Sequence, residues 1–185
     1  TKIILAVAAT LFIAAIVFCT KHYYHFAVAN FVSHDQESHG YHIQEGMPTD
    51  SILAEMLGDY DMLSELAWCM QCRYLKFTQA KPGYYRFAAK IANRELIRRL
   101  QLGEETPIRL SFTQAIRTRE QLAGFMGNKL MLDSADVKQR LDDEEYMSHF
   151  GLTPETAVCL FIPNTYEVYW TMSADQLFAR MYKEY

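Results

Sequence analysis

Glycine and proline are scarce, at eight and five of 185 residues, and there are only four cysteines. A collagenous or low-complexity chain would need far more of the first two, and a small disulfide scaffold far more of the third. A long run of Lys and Arg is also missing: 18 basic side chains face 22 acidic ones, for a net charge of −4. Without a basic stripe to neutralise phosphates, no nucleic-acid partner is expected. No internal repeat is visible. What is present is a chain that is half apolar and 14% aromatic, enough for one domain or two small ones with a real core. The sequence begins at Thr1, and Tyr185 closes a helical pattern with no cap after it, so it is expected to be a fragment of a longer protein.

From Ile3 to Thr20 no residue is charged, and Thr10 and Thr20 supply the only hydroxyls. As a helix this run is about 27 Å long, close to the hydrocarbon thickness of a bilayer. Lys21-His22-Tyr23-Tyr24-His25-Phe26 follows, with rings suited to the headgroup region. The direct reading is a single membrane anchor. The rival is a cleaved signal peptide, since Ala27-Val28-Ala29 fits the small-x-small pattern; the length of the run and the bulky stretch before the alanines favour the anchor. Either way, the residues after about Phe31 are placed outside the cytoplasm.

Cys69 and Cys72 form one Cys-x-x-Cys, but no histidine lies near them in sequence to complete a zinc site. They fall in the middle of a helical pattern, not at the strand-to-helix junction of a redox pair, and read as small buried apolar side chains. No metal or organic cofactor is implied.

Past a polar linker at His34 to Gly40, Tyr41-His42-Ile43 reads as a strand, Gly46 as a turn, and Thr49 as the cap of a helix carrying Ile52, Leu53, Met56 and Leu57. A second helix is expected from about Asp61, with Met62, Leu63, Leu66, Ala67 and Met70 inward. Pro82-Gly83 turns the chain into the aromatic strand Tyr84-Tyr85-Arg86-Phe87. Asn93 is expected to cap a helix with Leu96, Ile97 and Leu100 inward and Gly103 as its stop. Beyond it, Ile108, Leu110 and Phe112 alternate with Arg109 and Ser111 as in a half-buried strand. Thr118 with Gln121, and Ser173 with Gln176, stand at capping-box spacing ahead of apolar stripes. Asp142-Asp143-Glu144-Glu145, in a polar helical stretch from Ser134 to Phe150, reads as solvated surface, not a calcium loop. Thr153-Pro154 reads as a short helix start. The fold class is α+β, in three segments: 1–33 anchor and juxtamembrane linker, 34–103 a first small domain, 104–185 a second.

The most distinctive stretch is Leu160-Phe161-Ile162-Pro163-Asn164-Thr165-Tyr166-Glu167-Val168-Tyr169-Trp170. It resembles the Pro-Asp/Asn-Thr-Tyr signature of the endolytic murein transglycosylases, the MltG or YceG-like family. Lys81-Pro82-Gly83-Tyr84-Tyr85-Arg86-Phe87 is similar to that family's Gly-x-Tyr-Arg segment, and Leu102 to Phe112 to its Gly-x-x-x-Pro-Val strand entry. The Asn164 variant looks most like the branch found in Bacteroidetes-type bacteria. Residues 41–57 also resemble the opening of a LysM module, so the resemblance implies an inner-membrane anchor, a LysM-like subdomain up to Gly103, and the start of a YceG-like transglycosylase domain truncated at Tyr185. The bulk of the chain would be periplasmic.

Such enzymes break the bond between N-acetylmuramic acid and N-acetylglucosamine by closing the muramyl 6-hydroxyl onto its own anomeric carbon. One carboxyl can do both halves, first as acid to the leaving oxygen and then as base to the attacking hydroxyl, which requires a raised pKa in a partly dry cleft. In the resembled family that glutamate lies in a Ser-Ile-(Val/Ile)-Glu-x-Glu motif downstream of the signature. No such motif occurs between Thr1 and Tyr185, so no catalytic residue is assigned here and the glutamate is expected beyond Tyr185. Glu167 is the carboxylate nearest the signature but matches no catalytic position of the family. Asn164 and Tyr166 are the substrate-binding candidates, within a turn whose main duty is structural support. Tyr84 or Tyr85 could stack on sugar rings. The resemblance implies glycan strands and peptidoglycan synthases as partners. The alternatives are a membrane-anchored LysM-like binding module that cuts nothing, and a structural subunit.

Overall fold

The computed structural model describes residues 2–27, 29–113 and 116–185, without the side chains of residues 2–5, 22 and 25–27. It opens with the 26-residue helix α1, Lys2–Ala27, whose apolar side chains, among them Leu11, Phe12 and Phe18, stand exposed. Among the described residues no helix is long and apolar enough to cross a membrane. The side chains of residues 3–5, at the start of the expected span, and Val28, in the small-x-small pattern, lie outside what is described.

The chain divides into two compact units, residues 1–105 and 106–185. In the first, β1 (Phe31–Ser33) is the central strand of an antiparallel sheet, with β3 (Tyr60–Met62) on one side and β5 (Lys90–Ile91) on the other. β2 (His39–Ile43) pairs antiparallel with β4 (Gly83–Phe87), placing Tyr41 opposite Tyr85 and His42 opposite Tyr84. Helices α2 (Thr49–Met56), α3 (Glu65–Tyr74) and α4 (Asn93–Leu102) complete the unit. Alternation decides which residues go in: Tyr41, Ile43, Tyr85 and Phe87 are buried, with Phe31, Ile52, Met56, Tyr60, Trp68, Leu96, Ile97 and Leu100. Each large side chain so removed from water contributes about 1.5–3 kcal/mol.

Several boundaries differ from the sequence reading, each for a tertiary reason. Residues 31–33, expected as linker, form the central strand because β3 and β5 pair with them on either side, and Phe31 packs edge-on against Trp68 with ring centroids 5.5 Å apart. Asp61 and Met62 pair with β1 instead of starting a helix, and α3 begins only after Ser64, whose hydroxyl accepts from the Ala67 amide. The buried face of α3 is therefore Ala67, Trp68 and Gln71, while the expected inner residues Leu63, Leu66 and Met70 are exposed. The caps of α2 and α4 are Pro48 and Ala92, one residue before Thr49 and Asn93. Gly103 closes α4 in the left-handed conformation, φ 74°, which a side chain would disfavour.

The second unit is built on the antiparallel pair β6 (Ile108–Ser111) and β7 (Thr165–Val168). Between them run α5 (Arg119–Lys129), α6 (Ser134–Asp142), α7 (Glu144–Ser148) and a 3₁₀ turn, Ala157–Leu160; α8 (Ala174–Glu184) follows. Both capping boxes form, Thr118 with Gln121 and Ser173 with Gln176. The polar stretch from Ser134 is broken at Asp143, whose carboxylate caps α7 by accepting from the Tyr146 amide, so the four acids do not share one helix. Leu110, Leu122, Met126, Val137, Leu141, Met147, Leu177, Phe178 and Met181 fill the core.

Candidate functional site

The Pro163-Asn164-Thr165-Tyr166 segment forms the entry to β7 and not a free turn. Opposite it, β6 supplies Leu110 across from Tyr166 and Ser111 across from Thr165. The Ser111 and Thr165 hydroxyls are 2.8 Å apart. Asn164 is exposed, and its side-chain oxygen accepts from the Thr165 amide at 2.8 Å, holding the corner. Tyr166 is 6% exposed; its hydroxyl donates to the Ile162 carbonyl at 3.1 Å, and its ring meets Phe112 edge-on at 5.9 Å. Burial pushes its phenol pKa up. Tyr166 thus ties the signature to the core, and Pro163, Asn164 and Thr165 face solvent.

Beside this corner lies a concavity of about 410 Å³, lined by Phe112, Thr113, Ile116, Val158, Ile162 and Pro163 among others. Phe112 and Phe161, with ring centroids 5.3 Å apart, both line it, and Phe125 packs on Phe112 at 5.4 Å. The lining is chiefly aliphatic and aromatic. It offers stacking and exclusion of water, but little of the fixed polar pairing that sugar hydroxyls demand.

Among the described residues no Asp or Glu is buried. The carboxyls whose pKa is clearly displaced, Asp35, Glu120 and Glu155, are all displaced downward, the wrong direction for a general acid at neutral pH. Glu167 is exposed on β7, in register with Arg109. Among the described residues no three His, Cys, Asp or Glu side chains gather as a metal site. All four cysteines are free thiols; of the Cys-x-x-Cys pair, Cys69 is exposed, contrary to the buried role expected of it, and Cys72 is partly covered, while Cys159 is exposed as well.

In the first unit the two tyrosine candidates separate. Tyr85 is fully buried, its hydroxyl donating to the Lys81 carbonyl at 3.0 Å. Tyr84 faces outward, its ring 4.8 Å from that of His42 and lying over Gly40, where an added Cβ would come within 2.1 Å of the Tyr84 hydroxyl. Gly40, His42 and Tyr84 make a patch on the outer face of β2 and β4, with the two rings tilted 40° to each other. His42 was not singled out from sequence, although its place two residues from Gly40 on an alternating strand marks the same face.

A second cluster also escapes the sequence. His39 Nε2 lies 2.9 Å from Asp35 Oδ1 and 3.1 Å from Ser33 Oγ, with Nδ1 3.8 Å from Asp59 Oδ2. Ser, His and Asp are together, but the Ser33 hydroxyl gives its proton to Asp35 at 2.5 Å, and Asp35 also accepts from the Glu37 amide. The Asp35 carboxyl is held well below the usual carboxylate range, first by Ser33, then by Glu37 and His39. The group is a clamp on the turn between β1 and β2, not a nucleophile with its base.

A family model described as the YceG-like family matches residues 41–185. The chain belongs to the YceG-like family. It is also similar to a crystal structure of a yceG-like protein from Listeria monocytogenes, at 21% identity and a TM-score of 0.41, over 80% of this chain and 54% of that one. The chain therefore spans about half the length of that relative. Among curated proteins none matches it.

Proposed function

We propose that this chain is the leading part of an endolytic murein transglycosylase, which cuts the bond between N-acetylmuramic acid and N-acetylglucosamine inside nascent glycan strands and leaves 1,6-anhydromuramyl ends. The observation that carries the reading is the family match from the first unit through the Pro-Asn-Thr-Tyr hairpin. A protonated carboxyl gives its proton to the glycosidic oxygen, and the carboxylate then takes the proton of the muramyl 6-hydroxyl as that oxygen closes on the anomeric carbon. No described carboxylate has the burial this needs, so the glutamate is assigned to chain beyond these residues. Asn164, exposed at the corner, would reach the glycan, with Tyr166 positioning it. In this reading α1 is a single-pass inner-membrane anchor, the bulk of the chain is periplasmic, residues 34–103 are a LysM-like subdomain, and peptidoglycan synthases are partners.

The test uses the intact protein. Purified protein is incubated with uncrosslinked glycan strands, and anhydromuramyl ends are measured by mass spectrometry. The reading requires that such ends appear and that a Glu→Gln change in a downstream Glu-x-Glu pair abolishes them; an intact protein that makes none would sink it.

The second reading is a membrane-anchored glycan-binding module, favoured by the outward patch of Gly40, His42 and Tyr84. Aromatic faces of this kind stack on sugar rings. It predicts glycan retention that is lost in Tyr84→Ala, with no anhydromuramyl product.

A further inference from the structure

One side of α3 is apolar and open to solvent. Leu63, just ahead of the helix, and Leu66, Met70 and Tyr74 along it are 49%, 53%, 58% and 75% exposed. Their spacing of three and four residues lines them up on one side, away from the buried Ala67, Trp68 and Gln71. Such a continuous row differs from the scattered apolar exposure normal on a soluble surface. Arg73 and Lys76 are exposed at its far end.

The near end of the row is fastened to the foot of α1. The Leu63 amide donates to the Asn30 carbonyl at 2.8 Å. The Asn30 side chain accepts from the Ser64 amide at 2.8 Å and donates to the Ser64 carbonyl at 3.0 Å and to Asn93 Oδ1 at 2.9 Å. Asn30 is fully buried, and α1 ends at Ala27. The last turns of α1 carry Lys21, with Tyr23 and Tyr24 69% and 50% exposed. Two exposed apolar surfaces, those of α1 and α3, therefore converge at one buried asparagine, with two tyrosines at the junction.

We propose that the Leu63, Leu66, Met70 and Tyr74 side of α3 lies in the headgroup region of the same bilayer that holds α1, so that the first unit sits against the membrane instead of swinging from it. The proposal rests on the membrane-anchor reading of α1. Leu63 is bonded to Asn30, ten residues past the end of the span at Thr20, which keeps the near end of the row within about 20 Å of the hydrocarbon edge. A helix laid in an interface buries one apolar side and keeps its cations at the edge, and Arg73 and Lys76 suit anionic lipid. Tyr23, Tyr24 and Tyr74 are the residue type that favours this depth.

The test places single reporter cysteines in the full chain, with Cys19, Cys69, Cys72 and Cys159 replaced by alanine, reconstituted in vesicles of phosphatidylethanolamine and phosphatidylglycerol. A fluorophore is attached at Ala14→Cys in α1, at Leu66→Cys or Met70→Cys in α3, or at Glu45→Cys on the exposed turn after β2. Quenching is then measured with lipids spin-labelled near the headgroup and, separately, with lipids spin-labelled deep in the acyl chain. Expected is loss of most of the fluorescence at position 14 with the acyl-chain label and at 66 and 70 with the headgroup label, and none at 45 with either. Quenching at 14 without quenching at 66 and 70 overturns the docking proposal and leaves the anchor standing. No quenching at 14 overturns the anchor, and the proposal with it. Probes at 66 and 70 that escape lipid quenching but shift to the blue as protein concentration rises mean that a second copy covers the face, which also overturns it.

Discussion

The Phe112 amide donates to the Asn164 carbonyl at 2.9 Å, one step past the last β6–β7 pair, so the family signature is locked to the strand that opens the second unit. The backbone of Asn164 belongs to the scaffold while its side chain remains at the surface. The same residue can therefore be fixed and still be available to a ligand.

Tyr166 is expected to matter for stability before anything else. Removing its hydroxyl in Tyr166→Phe leaves the Ile162 carbonyl without that donor and should cost about 1 kcal/mol. Tyr166→Ala opens a cavity beside Phe112 and should cost about 3–5 kcal/mol. Urea unfolding of the two variants checks both, and equal midpoints for all three proteins would contradict the packing described.

Asn30 joins α3 and α4 to the foot of α1. Asn30→Ala deprives the Ser64 amide and Asn93 Oδ1 of their buried partners and should destabilise the first unit by about 2–4 kcal/mol. Hydrogen exchange should show the loss at the start of α3, with the second unit unaffected as a comparison.

Asp35 makes stability depend on pH in a fixed direction. Its carboxyl pKa is lower in the folded chain than in the unfolded one, so as pH falls the unfolded chain takes up the proton first. The stabilisation is complete above the ordinary carboxylate value, about 3.9, and disappears as pH drops from there towards the depressed one. Asp35→Asn should thus lower the melting temperature at neutral pH and flatten its fall in acid. A parallel shift at every pH would rule out this role for the Ser33, Asp35 and His39 cluster.

Cys69 and Cys72 should react at different rates despite sharing a helix. Burial, with Cys69 nearby as the lesser cause, pushes the Cys72 thiol up to about 11, so at pH 8 only about one in a thousand Cys72 side chains is a thiolate. Iodoacetamide should label the exposed Cys69 well ahead of Cys72, and urea should remove the difference. Peptide mapping at timed intervals reads the order.

Features set by neighbours in sequence were legible before the structure. The two capping boxes, the alternation of Ile108, Leu110 and Phe112, and the left-handed stop at Gly103 depend on residues within one turn or one strand, and all form. Features set by distant partners were not. Leu63, Leu66 and Met70 have helical spacing, but Asn30, 34 positions upstream of Ser64, fixes where α3 starts and so which side turns inward. Phe31–Ser33 is too short for periodicity to reveal and becomes a strand only because β3 and β5 flank it. At the site, the signature residues could be read from their order along the chain, whereas the patch of Gly40, His42 and Tyr84 exists only once β2 meets β4.

The β6–β7 ribbon joins Ser111 to Thr165 across 54 positions, with α5, α6 and α7 strung between. Closing so long a segment is entropically costly and slow compared with winding its helices. During synthesis the intervening helices can form and collapse on Leu122, Met126 and Val137 well before Thr165 leaves the ribosome. The signature corner and α8 would then assemble after the rest of the second unit, and nascent chains halted before residue 165 should leave Ile108 and Leu110 of β6 unpaired, where holdase chaperones can recognise them.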